Sequence, residues 1–355
     1  MIDFYKNKKI FITGHSGFKG TWLCLYLIRL KAKIYGYSLP PEENALYTKV
    51  ESYLKENINQ SFSNILDSES LSEAVKKFEP DIIFHLAAQP LVRKSYVDPI
   101  ETWQTNLIGS LNLLNCLKNY SKKCAVVVVT TDKVYLNQEW DFGYRENDIL
   151  GGNDPYSASK AALEIAIASW RFSFCGSEKH QNKNVFIATA RAGNVIGGGD
   201  MAEDRIVPDS IRALIDNKKI PIRNPKSTRP WQHVLEPLNG YLELGMKLYS
   251  DPKEMSSSFN FGPYIKNNTT VEKLVIEILS HWPGDYELRN KNENYHESNL
   301  LHLQIDKVYK YLNWSPKWDF ELTIEKTINW YKRVFNGASA LEMCNLDIDS
   351  YENKI

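Results

Sequence analysis

Apolar positions in this chain follow two alternating periods through about residue 190. Short continuous runs, the mark of strands buried on both faces, give way each time to apolar residues at helical spacing. Residues 9–13, 34–39, 61–67, 82–86, 125–129 and 185–190 read as strands. Residues 22–30, 70–78, 102–117 and the stretch opening at Tyr156 read as helices, with Pro80-Asp81 breaking the second. Asn106 falls inside the third, where a satisfied core polar group explains it as well as a functional one. This alternation predicts an α/β fold built on a doubly wound parallel sheet of Rossmann type.

After Arg191 the pattern changes. Helices are expected over 206–215, 234–248 and 271–279, with a short strand at 221–223. Between them lie a glycine-rich loop, Gly193 to Asp200, and a polar, aromatic loop, Ser227 to His233. Residues 303–331 hold a helix, a Trp314-Ser315-Pro316 stop and a terminal helix. Beyond Asn336 the chain is polar and weakly acidic, with the composition of a disordered end. The expected division is a cofactor-binding domain over 1–191 and a smaller C-terminal α/β domain over 192–335. The latter mainly binds substrate, with some segments returning to the first domain, and 336–355 form a polar tail.

Composition narrows the partners. Forty-three basic and 43 acidic residues give a net charge of +0, so nothing in the balance points to nucleic acid. No apolar run approaches the ~18 residues of a membrane span. Lys6 to Lys9 lead straight into a strand, so no signal peptide is expected and the chain reads as cytoplasmic. The five cysteines, Cys24, Cys116, Cys124, Cys175 and Cys344, are scattered and form no Cys-x-x-Cys pair. Neither a zinc site nor a disulfide framework is expected, and no metal is assigned.

The candidate chemistry sits at strand ends. Gly14-His15-Ser16-Gly17-Phe18-Lys19-Gly20 follows the first strand and opens a helix. Gly14 suits a tight turn, Gly17 admits a pyrophosphate to the backbone, and Gly20 permits close helix packing; the helix N-terminus attracts the anion. Three glycines alone fit an ordinary turn too, and the flanking strand and helix favour the dinucleotide. The second strand ends in Tyr37-Ser38, with neither the acid that marks NAD nor the arginine that marks NADP. Thr131-Asp132-Lys133 follows the fifth strand, and Tyr156-x-x-x-Lys160 puts a phenol and an ammonium on one helix face. The ammonium is expected to favour ionisation of the phenol, suiting redox chemistry on a hydroxyl. Asp132 as a helix N-cap is the plainer alternative. Arg205, Arg223 and Arg229 are available for a diphosphate.

On these motifs the chain resembles the extended short-chain dehydrogenase/reductase superfamily over about residues 8–333. The resemblance rests on Thr13 to Gly20, His85-Leu86-Ala87-Ala88, Tyr156 with Lys160, and Arg191-Ala192-Gly193-Asn194. Narrower signals are similar to the nucleotide-sugar 4,6-dehydratases, above all those acting on CDP-glucose. They are Gln89-Pro90-Leu91-Val92-Arg93, Thr131-Asp132-Lys133, Gly197-Gly198-Gly199-Asp200, Arg229 through Pro237, His296-Glu297 and Asn313-Trp314-Ser315-Pro316. Met201 departs from the family, which usually has tryptophan there.

The resemblance implies NAD as cofactor, held by Gly14, Ser16, Gly17, Phe18, Lys19, Gly20, Asn64, Ile65, Leu86, Ala87 and Ala88 together with Tyr156 and Lys160. It implies a nucleotide-sugar substrate, CDP-glucose, touched by Gln89, Ser95, Asn194, Arg205, Arg229 and His233. Oxidation at C4 has Tyr156, aided by Lys160, remove the hydroxyl proton while Thr131 hydrogen-bonds the oxygen. Asp132 then protonates the departing C6 hydroxyl, and NAD is regenerated each turnover. Sister dehydratases place a glutamate base after this Asp; here Lys133 either takes the C5 proton or only orients its neighbours. The product would supply deoxysugar for surface polysaccharide, and the long helices suggest a homodimer or homotetramer. A C4-epimerase needs no acid at C6, so Asp132-Lys133 argues against it. A non-catalytic NAD-binding scaffold would be expected to lack Tyr156, Lys160 or Asp132.

Overall fold

The computed structural model describes residues 1–175, 183–289 and 300–353. His296-Glu297 lies outside the described residues. Seven parallel strands form the central sheet, and six come from residues 9–192. They are β1 (Lys9–Thr13), β2 (Lys33–Ser38), β3 (Asn59–Phe62), β4 (Ile82–His85), β5 (Cys124–Val129) and β6 (Val185–Ala192). Four further short strands follow in the chain: β7 (Val195–Ile196), β8 (Ile220–Ile222), β9 (Thr228–Pro230) and β10 (Gln232–His233). The seventh sheet strand is β11 (Ser258–Phe261), from the C-terminal half, paired with β6. The order β11-β6-β5-β4-β1-β2-β3 reverses direction between β1 and β4, the switch point at which such sheets bind ligands.

Alternation along the strands explains the two faces. Phe11, Ile83, Val126, Val128 and Ile187 pack on one side with Leu113, Leu114, Leu117, Leu163 and Ile167. Their neighbours Ile10, Ile12, Ile82, Phe84, Val127 and Ala188 pack on the other with Trp22, Leu23, Leu238 and Tyr241. The Cys124–Val129 run is buried throughout, as a parallel strand covered on both faces must be. The helix Leu235–Ser250 covers one face, so the C-terminal half contributes both a strand and a helix to the first layer.

Several expectations need correction. The third strand ends at Phe62, and Asp67 caps the helix Ser68–Phe78 by accepting from the Ser70 amide. The helix Leu46–Asn57 had no clear signal in the sequence reading. The 102–117 helix is interrupted by a π-turn, Gln104–Ile108, that contains Asn106. The Ser227–His233 loop contains β9 and β10, the first paired antiparallel with Asn268–Thr270. The tail is not irregular: Ala340–Asn353 is a helix burying Met343, Cys344, Asp347, Ile348 and Tyr351. Those positions form one helical stripe, and Tyr351 seals it by meeting Trp318 edge-on and donating to Glu236 Oε2 at 2.8 Å. Among the described residues no helix is long and apolar enough to cross a membrane.

Candidate active site

The carboxyl ends of β1, β2, β4, β5 and β6 open into one cavity of about 1210 Å³. That exceeds the usual range for a single small ligand and has room for a cofactor and a substrate together. All thirteen residues expected at the cofactor line it, as do Thr131, Lys133, Asn194, Arg205 and Arg229.

The glycine turn is built for close approach. Gly14 has φ +75°, and a Cβ there would come within 2.8 Å of the Ala87 nitrogen. A Cβ at Gly20 would stand 2.0 Å from the Gly14 carbonyl. Gly17 is the N-cap of Phe18–Arg29 and offers no capping side chain, so the first-turn amides face the cavity. At the end of β2 the Ser38 hydroxyl donates to Ser16 Oγ at 2.8 Å, and the Tyr37 phenol donates to the Asn64 carbonyl at 3.1 Å. Glu42 lines this end, and no basic side chain does so among the described residues near Tyr37, Ser38 and Asn64. The cradle therefore fits a dinucleotide with a free ribose hydroxyl better than one carrying a 2′-phosphate.

Opposite the cradle stands the reactive cluster. Asp154 caps the helix Pro155–Ser173 in a capping box with Ser157, which fixes where Tyr156 and Lys160 emerge. Lys160 Nζ donates to the Val129 carbonyl at 3.3 Å, and burial lowers its pKa to about 8 against the opposing pull of Glu164. The Tyr156 phenol is pushed up to about 12 by burial. A hydrogen bond from Thr131 opposes the shift, Asp132 adds to it, and Arg205 opposes it. The expectation that the Lys160 ammonium favours ionisation of the phenol is not met in the protein by itself: burial dominates, and the cation opposing it is Arg205.

Thr131, not Asp132, is the N-cap of the short turn Asp132–Val134. Its hydroxyl donates to Asp132 Oδ1 at 2.9 Å, and Lys133 Nζ donates to the same oxygen at 3.2 Å. The carboxylate is fully buried behind Thr131 and does not itself line the cavity. Its Oδ2 has no hydrogen-bond partner among the described residues. A Cβ on Gly193 would lie 2.9 Å from that oxygen, so the missing side chain leaves space between the acid and the cavity that Gly193 lines.

Three expected substrate residues lie elsewhere. Gln89 is buried with its amide spent on Leu91 and Thr102. Ser95 is buried, donating to the Val92 carbonyl and accepting from the Tyr156 amide at 3.2 Å, so it supports the helix and does not line this cavity. His233 is enclosed between Trp22 and Trp318 and accepts from the Leu235 amide. By contrast Asn194 Oδ1 is buried without a partner among the described residues, in the cavity wall. Arg205 donates to Asp200 at 2.8 Å. Sequence reasoning missed Asp204, whose carboxylate bridges Arg93 and Arg223 at 3.1 Å each on the cavity wall. Its left-handed backbone, φ +60°, has no sequence mark in Glu203-Asp204-Arg205.

Sheet order, glycine turn and Tyr–Lys helix together define a dinucleotide-binding protein of the short-chain dehydrogenase/reductase type. The family model described as GDP-mannose 4,6 dehydratase matches residues 11–327. The chain is 41% identical over 355 residues to a CDP-glucose 4,6-dehydratase of Salmonella typhimurium, covering 99% of this chain and 98% of the relative. A dTDP-glucose 4,6-dehydratase of Bacillus anthracis in complex with NAD superposes with a TM-score of 0.75 at 21% identity, covering 94% of this chain and 99% of that one. A UDP-glucose 4-epimerase of Stenotrophomonas maltophila superposes at 0.80 with 16% identity, covering 94% and 100%. The chain belongs to the nucleotide-sugar 4,6-dehydratase family of the extended short-chain dehydrogenase/reductases.

Proposed function

We propose that this chain is an NAD-dependent 4,6-dehydratase that converts CDP-glucose to CDP-4-keto-6-deoxyglucose. The observation that carries the chemistry is the Asp132–Lys133 contact beside Thr131 and Tyr156, because C4 epimerisation requires no acid to expel a C6 hydroxyl. The identity to the Salmonella enzyme supports the cytidine nucleotide. The hydroxyl-lined ribose end, flanked by Glu42, supports NAD over NADP.

Bound in the glycine cradle, NAD would supply the redox couple for C4 and C6 and a cationic ring beside the phenol. Gly14, Gly17 and the Phe18 and Lys19 amides would hold its pyrophosphate. Tyr156 Oη takes the C4 hydroxyl proton, with the Thr131 hydroxyl hydrogen-bonding the same oxygen. Lys160 and Arg205 stabilise the phenolate. Asp132 and Lys133 then act as an acid–base pair. Asp132 is assigned the proton given to the departing C6 hydroxyl, and Lys133 the removal of the C5 proton. Return of that proton across the 3.2 Å contact resets the pair.

Asn194, Arg205 and Arg229 are assigned to the nucleotide sugar, and Gln89, Ser95 and His233 to support. Helices Pro99–Trp103, Gly109–Leu117 and Pro155–Ser173 run side by side, joined where Asn106 donates to Ser159. Their outer faces expose Ile100, Ile108, Ile165 and Phe172, a surface suited to a second copy in a homodimer. A cytoplasmic location is part of the same proposal.

The test is incubation with CDP-glucose and NAD+, with UDP-, GDP- and dTDP-glucose in parallel, read by mass spectrometry. Loss of one water from CDP-glucose without net NADH is expected. Water loss from another nucleotide sugar alone would overturn the base, and a product of unchanged mass would overturn the dehydration.

A further inference from the structure

Lys19 occupies the second position of the helix Phe18–Arg29, where the helix dipole disfavours a cation. No hydrogen bond or ion pair compensates it among the described residues, yet its side chain lines the cavity. The charges around it are Arg205, Asp132, Lys160 and Asp200. Lys160 and Asp132 belong to the reactive cluster, and Arg205 and Asp200 to the wall assigned to the nucleotide sugar. None belongs to the ribose end near Ser16, Ser38 and Asn64. The main-chain amide of Lys19 can serve the cofactor while its ammonium points elsewhere.

Arg205 is committed to Asp200 at 2.8 Å, and Oδ1 of Asp132 to Thr131 and Lys133. Lys19 therefore shares the cavity lining with Arg205 and Lys160 and, among the described residues, forms no ion pair of its own. Burial, with the charges of Arg205 and Lys160 beside it, lowers its pKa to about 8 against the pull of Asp132 and Asp200. Three cations lining one cavity, only one of them paired with a cavity-wall carboxylate, carry a repulsion that a bound anion would relieve.

We infer that the Lys19 ammonium is a ligand of the substrate's diphosphate, gripping it from the cofactor side while Arg205 grips it from the other. The inference rests on the reading of this cavity as a nucleotide-sugar site. It adds a residue whose sequence position marks it only as part of a dinucleotide turn.

The test measures binding, so it does not depend on turnover. The dissociation constants of CDP, cytidine and NAD+ are measured by calorimetry for the wild-type chain, K19M and K19R. K19M should weaken CDP about 10- to 100-fold, as expected for loss of a charge-assisted contact, and leave cytidine and NAD+ within about twofold. K19R should restore most of the CDP affinity. Above about pH 8 the wild type should lose CDP affinity progressively as Lys19 deprotonates, and K19R should lose less, so that the gap between the two profiles widens with pH. Arg205, Asp132, Lys160 and Asp200 are common to both proteins, so they cancel in that comparison.

Weakened NAD+ with unchanged CDP in K19M would overturn the inference and make Lys19 a cofactor ligand. Identical pH profiles for wild type and K19R would overturn it even if K19M failed to fold. Should CDP bind no better than cytidine to the wild type, the nucleotide-sugar reading itself would fall, an outcome distinct from any effect at Lys19.

Discussion

Replacing Glu164 with alanine would remove the clamp that holds the Tyr156 helix to the sheet. Glu164 lies four residues beyond Lys160 and eight beyond Tyr156, on the same helical face. Its carboxylate accepts from Thr130 on the loop after β5 at 2.6 Å, Thr189 on β6 at 2.8 Å and Ser258 on β11 at 3.2 Å. Arg191 completes the set at 2.9 Å, with both side chains almost wholly buried. The arginine keeps Tyr135 and the Glu146 carbonyl on its other nitrogen, but the nitrogen facing Glu164 would have no acceptor. Breaking a buried pair from one side costs about 3–5 kcal/mol, most of it the stranded charge.

For this chain that corresponds to a melting temperature roughly 4–7 °C lower, read by circular dichroism. E164Q keeps the hydroxyl contacts and should fall between the two. E164L with R191M should recover part of the loss, since no charge is stranded. The pH dependence has a definite sign. Burial raises the Glu164 pKa, but Arg191 and the hydroxyl bonds outweigh it and hold it below 4.5. Its contribution is therefore full above about 4.5 and lost as pH falls through the lower folded value, so E164A should flatten the acid limb of stability. A melting point within about 1 °C of wild type would refute the clamp.

Three further substitutions probe the chain. D132N keeps the Oδ1 acceptor for Thr131 and Lys133 but removes the acid; water loss from CDP-glucose should slow by about 10²- to 10⁴-fold, and a rate within tenfold of wild type would exclude Asp132 as the proton donor. K133A should abolish exchange of the C5 proton with deuterated solvent, and retained exchange would exclude Lys133 as the base. E236Q tests the C-terminal helix: burial pushes the Glu236 pKa from 4.5 to about 7, against bonds from Trp318, Tyr351 and Lys317, so the wild type loses stability as pH rises through that interval. The substitution should therefore stabilise by up to about 3 kcal/mol at pH 8 and by little at pH 5, measured by urea unfolding, while an equal effect at both would show that ionisation is not the cause.

The sheet was legible because its strands are buried on both faces and so write uninterrupted apolar runs, Cys124–Val129 above all. Gly14 and Gly20 were legible because backbone occupies the space a Cβ would take. Ser95, Gln89 and His233 were placed by motif rather than by packing, and burial redirects each of them to support. The phenol's ionisation was misjudged because i to i+4 spacing sets a shared face but says nothing of desolvation. The last helix was missed because its stripe mixes Met343, Cys344, Ile348 and Tyr351 with buried Asp347, a carboxyl that burial pushes up to about 7 against Lys326 and Arg333. An acid at a core position reads as surface until its surroundings are known.

That helix bears on the active site through what it braces. The loop Gly197 to Asp200 is held from three directions. Trp22 donates to the Gly198 carbonyl at 2.9 Å, and Tyr331 donates to the Asp200 carbonyl at 2.6 Å and the Gly197 carbonyl at 3.2 Å. The Trp330 ring fills the space a Gly198 side chain would need. Asp200, so fixed, pairs with Arg205 on the cavity wall. Trp330 and Tyr331 belong to the helix Phe320–Phe335, which Ala340–Asn353 packs against while Arg29 binds Asp349 and Glu352 across to the helix after the glycine turn. One connected body thus joins the turn that carries Lys19 to the loop that carries Arg205. The spacing of the two cations is set by that body, so trimming the C-terminal helix would loosen diphosphate affinity without touching a residue of the cavity.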